Sequence, residues 1–374
     1  MDFSLSEEQS ELQQLARQIL DDHAGNDQLR EIEKRDECFD EKLWRDLGEA
    51  GLLGIGIGEA RGGMDLGFES LCLLAEAVGA TVAPVPAVPV LVSAALPIER
   101  FGTDEQKQRL LPGVAAGATL VSAALIEAGS EDPSAPQTSA EREGEAWLLT
   151  GEKSCVPFAK SAERVLLAAR VEGGVALFLL DPSAEGVRLL RQEVTASEPQ
   201  FAMLLSGAKV DARDLLAGPD AAPAVIDWIV ERSAAASCAM ALGVAERSTW
   251  MTAEYASERE QFGVKIATFQ AAAHRAANCY IDVQCLRLLT QQAVSLLHGE
   301  RDASDAVTIA KIWAGDVLHR VSHAAQHLHG GIGVDRDYPL FRYCLWAKQL
   351  ELSLGSSAER LAQLGERIAA EYRA

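Results

Sequence analysis

The sequence predicts an α+β protein in three segments: helical over residues 1–117, a β-barrel-like antiparallel domain over 118–220, and a four-helix bundle over 221–374. Three observations predict it. The first segment carries helix starts at capping-box spacing. The second breaks into short apolar runs divided by glycine-bearing turns. The third is apolar at helical intervals over stretches long enough for a bundle.

The first helix opens at "SEEQSELQQLARQIL", where Ser6 and Gln9 have capping-box spacing and Leu12, Leu15, Ile19 and Leu20 recur at helical intervals. "TDEQKQRLLPG" repeats the signal with Thr103 and Gln106, and Pro112-Gly113 reads as its stop. Strands are expected at "TLVSAALI", "AWLLTGEK", "ERVLLAARV", "VALFLLD", "VRLLRQEV" and "FAMLLSGAKV". After "AGPDAAPA" four helices are expected, at about 223–256, 266–298, 303–328 and 340–371.

A chain of 374 residues with 48% hydrophobic side chains has ample core for several packed units. Its formal net charge of -21 argues against a nucleic-acid surface, because phosphate neutralisation supplies most of that affinity. No apolar run reaches membrane-spanning length and the N-terminus has no signal-peptide pattern, so a cytoplasmic location is expected. Seven cysteines without a C-x-x-C pair fit buried thiols in a reducing compartment.

"GIGIGEARGG" at 54–63 lacks the third glycine of a dinucleotide fingerprint and follows a helix rather than a strand, so it reads as a loop. His319, His323 and His327 could share a helical face. One Asp316-x-x-His319 is too little for a di-iron bundle, and no metal is expected. "YASEREQFGVKIATFQ" differs, because Arg259 precedes Phe262-Gly263 at a junction of long helices. A guanidinium there can hold a pyrophosphate while an aromatic packs on an adenine.

Together with "GLLGIGIGEARGGMDLGFESLCLLAEAVG", "FGTDEQKQRLLPGVAAG", "LTGEK" and "HLHGGIGVDRDYP", this stretch resembles the acyl-CoA dehydrogenase family from end to end. The resemblance implies that family's fold, FAD as cofactor, an acyl-CoA thioester as substrate, and FAD shared between subunits. By position, Arg259, Gln261, Phe262, Gln270, His327, Gly330 and Gly331 would meet the adenosine diphosphate end of a neighbour's FAD. His327 stands where the family more often has Gln.

The family's chemistry needs a carboxylate to take the α-proton while the β-hydrogen leaves as hydride. Leu354 occupies the usual base position and Ser233 the alternative one. Glu231 and Glu351 are the nearest carboxylates, and Glu351 is the fallback base. Where the family's flavin-facing stretch has a hydroxyl and a proline, this chain has Ile126 and Ala128; Cys155 replaces the covering tryptophan, and Pro157 a hydroxyl residue. This asymmetry, with Tyr338, Pro339, Arg342 and Tyr343 after the histidine-rich junction, resembles subunits of bacterial α2β2 steroid side-chain acyl-CoA dehydrogenases. A cofactor-completing subunit with a homologous partner is therefore expected. The alternatives are a homotetramer with a relocated base and a flavin-free assembly subunit.

Overall fold

The computed structural model describes residues 3–130 and 132–372. Helix α1 (Glu7–His23) opens on the expected capping box: the Ser6 hydroxyl accepts from the Gln9 backbone and the Gln9 side chain from that of Ser6. Helices α2 (Asn26–Glu33), α3 (Glu41–Glu49) and α4 (Gly67–Thr81) follow. Two 3-10 turns, Leu52–Gly54 and Glu59–Arg61, lie between α3 and α4, and the glycine run is the loop that carries them. A Cβ on Gly63 would sit 1.9 Å from the Ile57 carbonyl oxygen, so this glycine serves the loop's own close packing.

A π-helix, Ala87–Ala95, leads into α5 (Leu96–Phe101) and α6 (Asp104–Ala115), which starts on the Thr103–Gln106 capping box. Pro112-Gly113 is not the stop. Pro112 lies inside the last turn of α6, where its missing N–H removes a single ladder bond, and the chain turns instead at Gly117, with φ +70°.

The sheet contains β1 (Leu120–Ala124), β2 (Ser139–Glu143), β3 (Ala146–Pro157), β4 (Ala162–Val171), β5 (Gly174–Leu180), β6 (Val187–Gln192), β7 (Gln200–Asp211) and β8 (Leu215–Ala217). Their order is β6-β7-β3-β2-β4-β5-β8, with β1 also paired to β4. Neighbours are antiparallel except where β1, and β2 at one residue pair, run parallel to β4. Every residue of β1 is buried, so its sequence shows no in–out alternation to indicate direction. Leu149, Val156, Val165, Leu167, Phe178 and Met203 form the inner layer of this domain.

Beyond it lie α7 (Ala222–Glu258), α8 (Gln270–His298), α9 (Ser304–His329), α10 (Leu340–Leu352) and α11 (Ser357–Glu371). The expected fourth helix is thus two helices. Leu354 and Gly355 adopt φ +56° and +90°, which a helix cannot accommodate, and Ser356 with Glu359 forms the capping box that starts α11.

The chain packs as two compact units, one of residues 1–31, 72–83 and 234–374 and the other of residues 32–71 and 84–233. In the first, α4 and α7 meet backbone to backbone. A Cβ on Gly79 would fall 2.0 Å from the Met240 carbonyl oxygen, and one on Gly243 2.0 Å from that of Glu76. Arg287 of α8 closes the crossing with ion pairs of 3.2 Å to Glu76 and 2.6 Å to Glu246. Among the described residues no helix is long and apolar enough to cross a membrane.

Candidate cofactor-binding residues and base positions

Arg259 ends the last turn of α7 and begins a two-residue β-hairpin, in which Glu260–Gln261 pairs with Val264–Lys265. The turn residues Phe262 and Gly263 have φ +56° and +77°, so both centres are left-handed, as in a type I′ turn. Glycine takes that conformation freely; phenylalanine takes it at a cost. Phe262 is also 93% exposed, touching Phe269 edge-on at 6.3 Å between ring centroids. Arg259, Gln261 and Gln270 are exposed beside it.

Two further contacts gather the ends of three helices. The ring of His329, at the end of α9, stacks on Tyr255 of α7 at 4.4 Å between ring centroids. From α8, Arg275 donates to His327 Nδ1 at 3.0 Å. The C-terminal ends of α7 and α9 and the N-terminal end of α8 therefore converge, bringing the segments that bear Arg259, Gln270, His327, Gly330 and Gly331 to one end of the bundle. Sequence reasoning did not single out Arg275, since nothing in "AAAHRAAN" sets it apart from a solvated arginine.

His329 is buried, with Nδ1 donating to the Ala325 carbonyl at 2.8 Å and Nε2 accepting from the Tyr338 hydroxyl at 3.2 Å. Burial lowers its pKa below the usual 6.5 against the opposing effect of the Ala325 bond, so the ring is neutral at physiological pH. It anchors the turn that follows. There Gly330 has φ +64° and ψ -140°, a conformation closed to other residues, so its first requirement is the backbone's own. A Cβ on Gly330 or Gly331 would meet nothing within 4 Å, leaving the surface above the turn open.

The base positions are filled otherwise. Ser233, buried on α7, shares a 2.8 Å hydrogen bond with Ser93 of the π-helix. Leu354 lies in the turn after α10, its carbonyl accepting from Arg360 at 2.6 and 3.1 Å. Glu351 and Leu354 do not lie on one helical face, because α10 ends at Leu352 and Leu354 is left-handed. The Glu351 carboxylate is occupied by Lys348 at 2.5 Å, with His319 at 3.4 Å. Glu231 is half-buried on α7.

On the β-domain, Ile126 bridges Ser154, and Cys155 adopts φ +51° at a bulge in β3, its N–H donating to Gln192 at 2.8 Å. Between these residues lies a buried ion pair, Glu127 with Lys153 at 2.6 Å. Burial opposes both charges. At Glu127 the bonds from Lys153, Thr138 and the Gln137 backbone outweigh it and bring the carboxyl down to about 2; at Lys153 burial prevails and lowers the ammonium. On α9, His323 bonds the His319 carbonyl, and among the described residues no group of three or more His, Cys, Asp or Glu could hold a metal ion.

Comparison with known families identifies the chain as a whole. The acyl-CoA dehydrogenase N-terminal domain matches residues 6–118, and the acyl-CoA dehydrogenase C-terminal domain matches residues 224–369. This chain belongs to the acyl-CoA dehydrogenase family. It is 36% identical over 377 residues to acyl-CoA dehydrogenase FadE27 of Mycobacterium tuberculosis, covering 99% of each chain. Among solved structures it is similar to the Tcur3481-Tcur3483 steroid ACAD, at 41% identity and a TM-score of 0.93 over 99% of this chain and 100% of that one. The ChsE4-ChsE5 complex from Mycobacterium tuberculosis matches at 36% identity and a TM-score of 0.93 over 99% of each chain.

Acyl-CoA dehydrogenases are FAD-dependent oxidoreductases acting on CH–CH bonds. The bundle end fits the adenosine diphosphate part of that cofactor: exposed guanidinium groups, an out-turned aromatic and an open glycine turn lie at the converging helix ends.

Proposed function

We propose that this chain is the cofactor-completing subunit of a cytoplasmic, heteromeric acyl-CoA dehydrogenase, pairing with a homologous chain as α2β2 and acting in degradation of a bulky, steroid-type acyl side chain. The observation that carries the reading is the state of the two base positions. One is an isobutyl group in a left-handed turn and the other a serine sealed against a second serine, so neither can take an α-proton. Similarity to the Tcur3481-Tcur3483 steroid ACAD and to the ChsE4-ChsE5 complex supports the partner and the substrate class. All seven cysteines are free, which suits a reducing compartment.

In this reading Arg259, Gln261, Phe262, Gln270, His327, Gly330 and Gly331 hold the adenosine diphosphate end of FAD. The bound flavin supplies the hydride-accepting chemistry. This chain's own residues bind and orient the cofactor, while the partner supplies the carboxylate.

Co-purification tests the reading. Expressed with its homologous partner, the chain should yield a stable complex with flavin absorbance and acyl-CoA-dependent flavin reduction, while the chain alone should carry neither. Flavin and activity in the chain alone would establish a self-sufficient homotetramer with a relocated base. A complex without flavin would establish an assembly subunit.

A further inference from the structure

We infer that Arg275 is a positioning residue of the cofactor half-site, fixing His327 as an outward hydrogen-bond donor; the inference rests on the reading that this end of the bundle binds the adenosine diphosphate part of FAD. A guanidinium only donates, so in the 3.0 Å contact between Arg275 Nη1 and His327 Nδ1 the ring nitrogen must accept. An imidazole that accepts at Nδ1 carries its proton on Nε2. The two nitrogens lie on different edges of the ring, so Nε2–H is directed away from Arg275.

His327 is exposed, on the helical turn just before Gly330 and Gly331, above which the surface is open. Its Nε2–H is therefore available to an acceptor such as a phosphate or ribose oxygen. Arg275 is itself exposed, and its other N–H groups remain to add positive charge beside the same acceptor. In a chain of net charge -21 a local cation is what makes a dianionic pyrophosphate tolerable. The pair also accounts for histidine in place of glutamine. A glutamine can accept from Arg275 through its carbonyl and donate outward through its amide, and the tautomer-fixed histidine does both with a rigid ring.

The test uses the assembled complex, stripped of flavin and titrated with FAD by fluorescence, with thermal unfolding run in parallel. Arg275→Met and His327→Phe should each weaken FAD binding by about five- to twentyfold with little change in unfolding temperature. The double variant should be no more than about twofold worse than the poorer single one, because the two residues act as a unit. His327→Gln should remain within about threefold of wild type, a rescue that a purely packing role would not produce. Additive losses, a silent His327→Phe or a failed rescue would overturn the pairing. Arg259→Ala separates this failure from that of the underlying reading. If it weakens binding while the Arg275 and His327 variants do not, only the pairing falls; if all are silent, the half-site reading falls with it.

Discussion

The Lys348 ammonium lies 2.5 Å from the Glu351 carboxylate, on the last turns of α10 and just ahead of Leu354 in the family's base position. A carboxylate already neutralised by an adjacent ammonium is a poor candidate for a proton-abstracting base. Glu351→Gln should leave turnover of the assembled enzyme within about threefold of wild type, under about 1 kcal/mol in barrier. A fall of about a hundredfold or more would make Glu351 the base. Leu354→Glu should bring no gain, because in the proposed reading Ile126, Cys155 and Pro157 leave no proper flavin face for a restored base. Flavin reduction by a Leu354→Glu chain without a partner would show that the base alone had been lost.

Arg259→Ala should lower FAD retention in the complex more than any single change in the β-domain. A charge-assisted contact to pyrophosphate contributes about 1.5 to 3 kcal/mol, a tenfold to hundredfold change in affinity. Flavin stoichiometry after gel filtration at matched protein concentration measures it.

Phe262 separates stability from binding. Its left-handed backbone costs about 1–2 kcal/mol relative to glycine, and its ring is almost wholly exposed. Phe262→Gly should therefore hold or raise the unfolding temperature while weakening FAD retention. A loss of stability would mean that the ring packs within the chain, and the adenosine contact would be withdrawn.

Acid should act through Glu127. Its folded carboxyl is depressed from 4.5 to about 2, so the stability it contributes is fully present above its unfolded value and is lost as pH falls toward 2. Glu127→Gln should flatten that part of the stability–pH curve. At neutral pH it should cost about 3–5 kcal/mol, because Lys153 would be left buried without its carboxylate. Acid titration followed by circular dichroism checks both arms.

The legible parts of the sequence were those with local causes. The Ser6–Gln9 and Thr103–Gln106 capping boxes can be read from their three-residue spacing, and the junction at Phe262-Gly263 from its place between two helical patterns, though not its hairpin. Strand β2 was hidden because "SAERE" is polar and holds its place by pairing with β3. The break before α11 was written in Ser356 and Glu359, yet helical periodicity on both sides masked it. Arg275 and the His329–Tyr255 stack could not be read at all, since each joins residues from different helices. Resemblance supplied the candidate cofactor residues, whereas the occupied state of the base positions needed three dimensions: Ser233 meets Ser93 across a long loop of chain.

The interlock of Gly79 with Met240, and of Gly243 with Glu76, bears on how the chain is made. The two halves of that crossing are separated in sequence by the entire β-rich segment, so α4 leaves the ribosome long before the helix it must clasp exists. Closing so distant a contact is entropically slow, and an early helix with an unfilled glycine groove is exposed meanwhile. The β-rich segment is therefore delivered before α7 and can assemble first, whereas this crossing can close only once α7 has been made.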